Sequence, residues 1–263
     1  MSFIAALPMY DWPEVRQGVD ARWAALRARL LAAGVAAPRD LVRRNADMPP
    51  VPGGIRAADG ALLAPDPAML PPDDLDLDVL WRHPRLLLGE TCRGPMSLGL
   101  SAHVVVVGQN AYDGIPGGSG VEYRSAVVAR RDVGRAAAVP ATRGAVLPLA
   151  DFEGRVLAVN AGHSLSGYLS LRDDLATAGR DMTLFAGSVD TGSHRRSLRA
   201  VAAGDADIAA IDCRSWALAL RHEPVAAALH VIGWTASRVG LPFITARHTD
   251  PKIRTILGGH VNA

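Results

Sequence analysis

Residues 156–179 read VLAVNAGHSLSGYLSLRDDLATAG and residues 190–212 read DTGSHRRSLRAVAAGDADIAAID. Each half delivers hydroxyl-rich, glycine-permissive residues from a strand or loop into the first turn of a helix. Ser164 and Ser166 precede a helix over Tyr168–Leu175, and Ser193 and His194 precede one over Leu198–Ala203. A helix start carries backbone N–H groups without intrahelical partners and the positive end of the macrodipole, so it holds an anion without a lysine. Two such starts in one domain point to a protein that grips a small oxyanion.

A chain of 263 residues suits one large domain or two modest lobes with a real core. Net charge is +2 and the basic residues are scattered, nearly all of them arginine with Lys252 the one lysine, which speaks against nucleic acid as a partner. The opening MSFIAALPMYDWP has no basic region before its short apolar run; it reads as a first strand rather than a secretion signal. As written, the chain is expected in the cytoplasm, or in the periplasm if the true start lies upstream. No apolar stretch is long enough for a membrane span. Cys92 and Cys213 are two isolated thiols, which fits a reducing compartment and offers no disulfide framework.

Outward from the central stretch, short apolar strands alternate with helices. Strands are expected at Phe3–Leu7, Arg85–Thr91, His103–Val107, Glu122–Arg130, Arg155–Asn160, Asp207–Asp212, His230–Trp234 and Leu241–Thr245. Asp11 as N-cap and Pro13 in the first turn open a helix whose Val15, Val19, Trp23, Leu26 and Leu30 share one face, ending near Gly34. Leu75–Trp81 and Trp216–Leu220 read as further helices. Residues 45–74, rich in Pro, Gly and Asp, read as a surface excursion with one hairpin, and Asn110–Gly120 as a turn-rich loop. This order predicts an α/β architecture with mainly parallel sheets covered on both faces. Ligands of such sheets sit beyond the carboxyl ends of strands, which places Tyr10-Asp11, Thr91-Cys92, Asn160–Ser166, Ser193-His194 and Asp212 on candidate binding edges.

Three motifs in order, Ser164-Leu165-Ser166-Gly167-Tyr168, Gly192-Ser193-His194-Arg195-Arg196-Ser197 and GDADIAAID over Gly204–Asp212, resemble the PhnD-like phosphate, phosphite and phosphonate substrate-binding proteins of ABC transporters. The opening ALPMYDWP, the block LLLGETC over Leu86–Cys92 and LPFIT over Leu241–Thr245 are similar to the same group. The resemblance implies a two-lobed type II periplasmic-binding-protein fold joined by a two-strand hinge. Its crossings fall near Tyr123–Ser125 and Thr235–Leu241, giving lobe I as 1–124 with 236–263 and lobe II as 125–235. It implies that the ligand lies in the cleft between the lobes, with Ser164, Leu165, Ser166, Gly167 and Tyr168 matching the cradle, His194 a donor and Asp212 a cleft acid. Tyr10 and Thr91 fall where the family supplies an aromatic wall and polar contacts. Leu165 stands where many relatives carry a third hydroxyl, so this cradle has one side-chain donor fewer.

Each residue also has a plainer reading. Ser164 and Ser166 can simply cap a helix, His194 can be a solvated first-turn histidine, and Asp212 can be an N-cap. Ser164, His194 and Asp212 contain the residue types of a hydrolytic triad, but no G-x-S-x-G elbow is present. No Cys/His spacing suggests a metal, and the Gly117–Gly120 run lacks the Gly-Lys-Ser/Thr of a nucleotide loop. The leading expectation is therefore a solute-binding protein for a small phosphorus oxyanion, without catalytic residues, cofactor or metal, working with an ABC permease. The alternatives are a cytosolic lyase or transferase of the same fold and a cytosolic ligand sensor.

Overall fold

A computed structural model describes residues 2–261. In chain order the strands are β1 Ile4–Ala6, β2 Ile55–Arg56, β3 Leu62–Ala64, β4 Leu86–Glu90, β5 Val104–Gln109, β6 Gly118–Ser119, β7 Glu122–Tyr123, β8 Ser125–Arg130, β9 Val156–Val159, β10 Gly187–Asp190, β11 Ile208–Asp212, β12 Leu229–Trp234, β13 Arg238–Val239 and β14 Pro242–Ala246. The α-helices are α1 Arg16–Ala32, α2 Leu77–Arg82, α3 Arg93–Ser97, α4 Leu149–Phe152, α5 Ser170–Thr177, α6 His194–Ala203, α7 Cys213–His222 and α8 Pro251–His260. They form two compact units, Met1–Asn110 with Leu241–Ala263, and Ala111–Gly240.

The first unit is built on a sheet of order β1-β4-β14-β5. Its side chains are divided between two faces. Ile4, Ala6, Leu86, Ile244 and Ala246 enter one core layer with Val79, Leu80 and Trp81 of α2. Ala5, Leu87, Leu88 and Phe243 enter the other with Val19, Trp23, Leu26 and Leu30 of α1. Every residue of β4 is buried, as a strand covered on both faces requires.

The second unit has the sheet order β10-β9-β11-β8-β12. Val127, Ala129, Leu157, Val159, Ile208, Ala210 and Ile232 line one face against Leu171 and Leu175 of α5. Helix α6 packs against β8, β9 and β11. A small sheet of order β13-β7-β6 completes the unit.

The expectation of mainly parallel sheets is corrected in one respect. In each sheet one strand runs against the rest: β14 is antiparallel to β4 and β5, and β8 to β11 and β12. Each of these two strands enters its sheet without a helical crossover, and only parallel neighbours demand one. Both sheets are thus mixed.

Other differences have local causes. The strand expected over Glu122–Arg130 breaks at Arg124, whose N–H bonds Gly117 O while its carbonyl accepts from Cys213 N, so the chain changes sheets there. Its buried guanidinium donates to Gly144 O and Thr235 O at 2.8 Å and to Thr142 O. Asp11 does not cap the first helix; Trp12 holds that position before the 3-10 turn Pro13–Val15, and Asp11 accepts from Arg43 at 2.6 Å. The hairpin expected in residues 45–74 is β2–β3, yet the segment is no mere surface excursion, since Met48, Ile55 and Ala64 lie in the core. The turn-rich loop is likewise anchored by Tyr112, fully buried and stacked on Tyr123 with ring centroids 5.3 Å apart. Strand β10 and helix α8 were not expected: all four residues of β10 are exposed and carry no apolar pattern.

Candidate functional site

Strands β10, β9 and β11 are mutually parallel, so their carboxyl ends lie on one edge of the second unit's sheet. A helix start follows each of them. After β9, Ser164 N-caps a π-helical turn, Leu165–Leu169, that runs into α5, and its Oγ accepts from Gly167 N at 3.1 Å. A π turn widens the helix by one residue, a distortion frequent at functional sites. After β10, Ser193 caps α6 by accepting from Arg196 N at 3.2 Å. After β11, Asp212 caps α7, its Oδ1 accepting from Arg214 N at 3.1 Å and Ser215 N at 3.0 Å.

The three starts meet. Ser166 Oγ lies 2.9 Å from His194 Nε2, which lies 3.4 Å from Asp212 Oδ2. Ser164 Oγ is 3.5 Å from Ser166 Oγ. A hydroxyl, an imidazole and a carboxylate are thus gathered where three positive helix ends converge, a setting suited to an anion. His194 is no solvated first-turn side chain: only 14% of it is exposed, and burial lowers its pKa against the opposing pull of Asp212. The neighbouring arginines do not enter this group. Arg195 Nε donates to the buried Glu223 at 2.5 Å, and Arg196 is exposed with its guanidinium over Gly192.

The remaining expected residues lie as follows. Leu165 is half-buried, and Gly167 packs its Cα against Asn160. The Tyr168 side chain is half-buried and packs against the second unit's core. Tyr10 and Thr91 belong to the first unit, just beyond the neighbouring parallel strands β1 and β4. Both are buried, and Thr91 Oγ1 donates to Cys92 O at 3.4 Å.

Triad chemistry does not fit this geometry. Ser166 and Asp212 both face Nε2, whereas a relay needs the nucleophile on one ring nitrogen and the carboxylate on the other. His194 Nδ1 is buried without a partner. Cys213, pushed up to about 12 chiefly by burial, stays a protonated, inert thiol. No group of His, Cys, Asp or Glu among the described residues could hold a metal.

Sequence reading named Asn160 only as part of a candidate binding edge and missed Ser125. Asn160, at the end of β9, presents a buried Oδ1 without a partner, and Ser125, at the start of β8, presents such an Oγ. The strand-end position marked Asn160; nothing local marked Ser125. The surrounding frame is held by Asp174 of α5, whose carboxylate accepts from Arg238 Nη2 at 2.6 Å, Arg238 Nη1 at 3.1 Å and Ala236 N at 2.8 Å.

A family model described as the periplasmic substrate-binding protein of phosphonate ABC transporters matches residues 98–258. The chain belongs to this family. It is a family of substrate-binding proteins, not of enzymes. No curated protein matches the chain. Among solved structures it is similar to PhnD1 from Prochlorococcus marinus in complex with methylphosphonate, at 15% identity and TM-score 0.64 over 99% of this chain and 84% of that one. It is similar to a binding protein component of an ABC phosphonate transporter from Pseudomonas aeruginosa, at 16% identity and TM-score 0.59 over 97% and 72% of the two chains. XAC2383 from Xanthomonas citri, bound to chloride ion, is similar at 18% identity and TM-score 0.51 over 68% of this chain, which spans 63% of that protein's length. These likenesses bear out the two-lobed α/β fold class. No helix among the described residues is long and apolar enough to cross a membrane.

Proposed function

We propose that this member of the family captures a small phosphorus oxyanion, a phosphonate, phosphite or hydrogen phosphate, and presents it to an ABC permease in the periplasm. The observation that carries this reading is the meeting of three helix starts at Ser166, His194 and Asp212. The anion docks at the turn Leu165–Gly167, on the Ser166 N–H and on the Ser164 and Ser166 hydroxyls, while Gly167 N holds the Ser164 cap in place. Tyr168 borders the cradle, its own N–H donating to Ser164 O at 3.2 Å. His194 donates from Nε2, and Asp212 Oδ2 accepts a proton carried by the ligand. Tyr10 and Thr91 are further proposed contacts from the first unit. The proposed lobe division is 1–124 with 236–263 and 125–235, which assigns the small sheet β13-β7-β6 to lobe I, whereas the compact unit Ala111–Gly240 contains it.

Charge-assisted hydrogen bonds contribute roughly 1.5–3 kcal/mol each, so four or five support micromolar binding after ordering costs. A thermal-shift and calorimetric screen with methylphosphonate, phosphite, phosphate, sulfate and acetate tests the reading. Stabilisation by the phosphorus anions and not by acetate supports it; no response to any phosphorus anion overturns it.

A further inference from the structure

Ser125 opens β8 and is the direct antiparallel partner of Asp212, the last residue of β11. Cys213 N donates to Arg124 O at 3.0 Å, so Ser125 and Asp212 form a non-hydrogen-bonded pair, the type in which opposing side chains stand closest on a shared face. The Ser125 backbone is fixed on its other side: its N–H donates to Thr235 Oγ1 at 2.8 Å and its carbonyl accepts from Thr235 N at 3.0 Å. The residue is 1% exposed, yet its Oγ has no hydrogen-bond partner. A buried hydroxyl left unsatisfied costs stability that alanine at the same place would not. Folding gives no reason for it.

The neighbouring carboxylate supplies one. Asp212 Oδ1 is taken up by the α7 start and Oδ2 faces His194. An anion held by Ser166 and His194 therefore meets Oδ2 on one corner, and Ser125 is the nearest strand-paired neighbour of that carboxylate. We propose that Ser125 is a specificity-determining ligand contact, its hydroxyl donating to an unprotonated oxygen beside the protonated one that Asp212 accepts. This rests on the anion-binding reading above and narrows it to a tetrahedral anion carrying one protonated oxygen. A planar carboxylate has two coplanar oxygens and cannot fill the corners at Ser125, Asp212 and Ser164 together.

Titrating methylphosphonate and acetate into the wild type, Ser125→Ala and Ser125→Cys by calorimetry, with melting of each ligand-free protein, is the test. Both variants are expected to bind methylphosphonate roughly tenfold more weakly, the loss of about one hydrogen bond, and acetate is expected to give no binding heat with any of the three proteins. The ligand-free melting temperature stays level or rises in Ser125→Ala. Unchanged methylphosphonate affinity in both variants overturns the role of Ser125 and leaves the anion reading intact. Weaker binding accompanied by a lower ligand-free melting temperature in both variants overturns it too, in favour of a structural role. A wild type that binds no phosphorus anion removes the anion reading and this one with it.

Discussion

A Cβ added to Gly167 would stand 1.6 Å from Asn160 Oδ1 and 3.3 Å from His194 Cε1, so the cradle's first turn packs its glycine directly against Asn160, and any larger residue there must displace that side chain. Gly167→Ala is expected to destabilise the protein by about 1–3 kcal/mol through overpacking and to weaken methylphosphonate binding. Because Asn160 Oδ1 has no partner to lose, adding Asn160→Ala should return most of that stability. Urea denaturation of the two single variants and the double variant measures the coupling, and strictly additive losses would contradict it.

Ser166 spends its hydroxyl on His194 rather than on its own helix, the cap at this start being Ser164. Ser166→Ala should therefore lower methylphosphonate affinity roughly 10- to 100-fold while the melting temperature barely moves. Calorimetry checks the first part and thermal melting the second; an unaltered affinity takes Ser166 out of the site.

Asp212 Oδ2, 3.4 Å from His194 Nε2, would stand beside a bound anion and repel one that carries no proton. The protein is expected to bind hydrogen phosphate and not sulfate at neutral pH. Asp212→Asn keeps a competent N-cap on α7 and should narrow the difference. Equal calorimetric affinities of the wild type for the two anions would rule this out.

Burial lowers the pKa of His194 below its ordinary 6.5, with Asp212 opposing. As pH falls below about 6.5, the unfolded chain takes up a proton that the folded site resists, so His194 withdraws stability from the ligand-free protein on acidification and contributes no slope well above that pH. Urea denaturation at several pH values between about 5 and 8 should show a shallower acid loss in His194→Gln than in the wild type. Identical pH slopes would show that His194 titrates unperturbed.

What was legible beforehand followed local chemistry. The Ser164 cap rests on a bond from Gly167 N, three residues on, and the Asp212 cap on bonds from Arg214 N and Ser215 N, two and three residues on. Apolar strands such as β4 and β11 announced themselves because every residue is buried. Helix α8 carries an equally local mark, Asp250 accepting from Lys252 N at 2.7 Å with Pro251 in the first turn. Strand β10 had no such mark, since its exposed residues pair through backbone alone.

The sequence by itself determined the family, the alternation of strands and helices and the caps at Ser164 and Asp212, because each depends on residue order or on neighbours a few positions apart. The tertiary structure alone decided that Ser166 and Asp212 share one nitrogen of His194, and that Ser125 lies beside Asp212. Those relations depend on the order β10-β9-β11-β8 and on the register between β8 and β11, which set strand ends distant in sequence side by side. Strand order and register are fixed by packing across the whole sheet, not by any short stretch of chain.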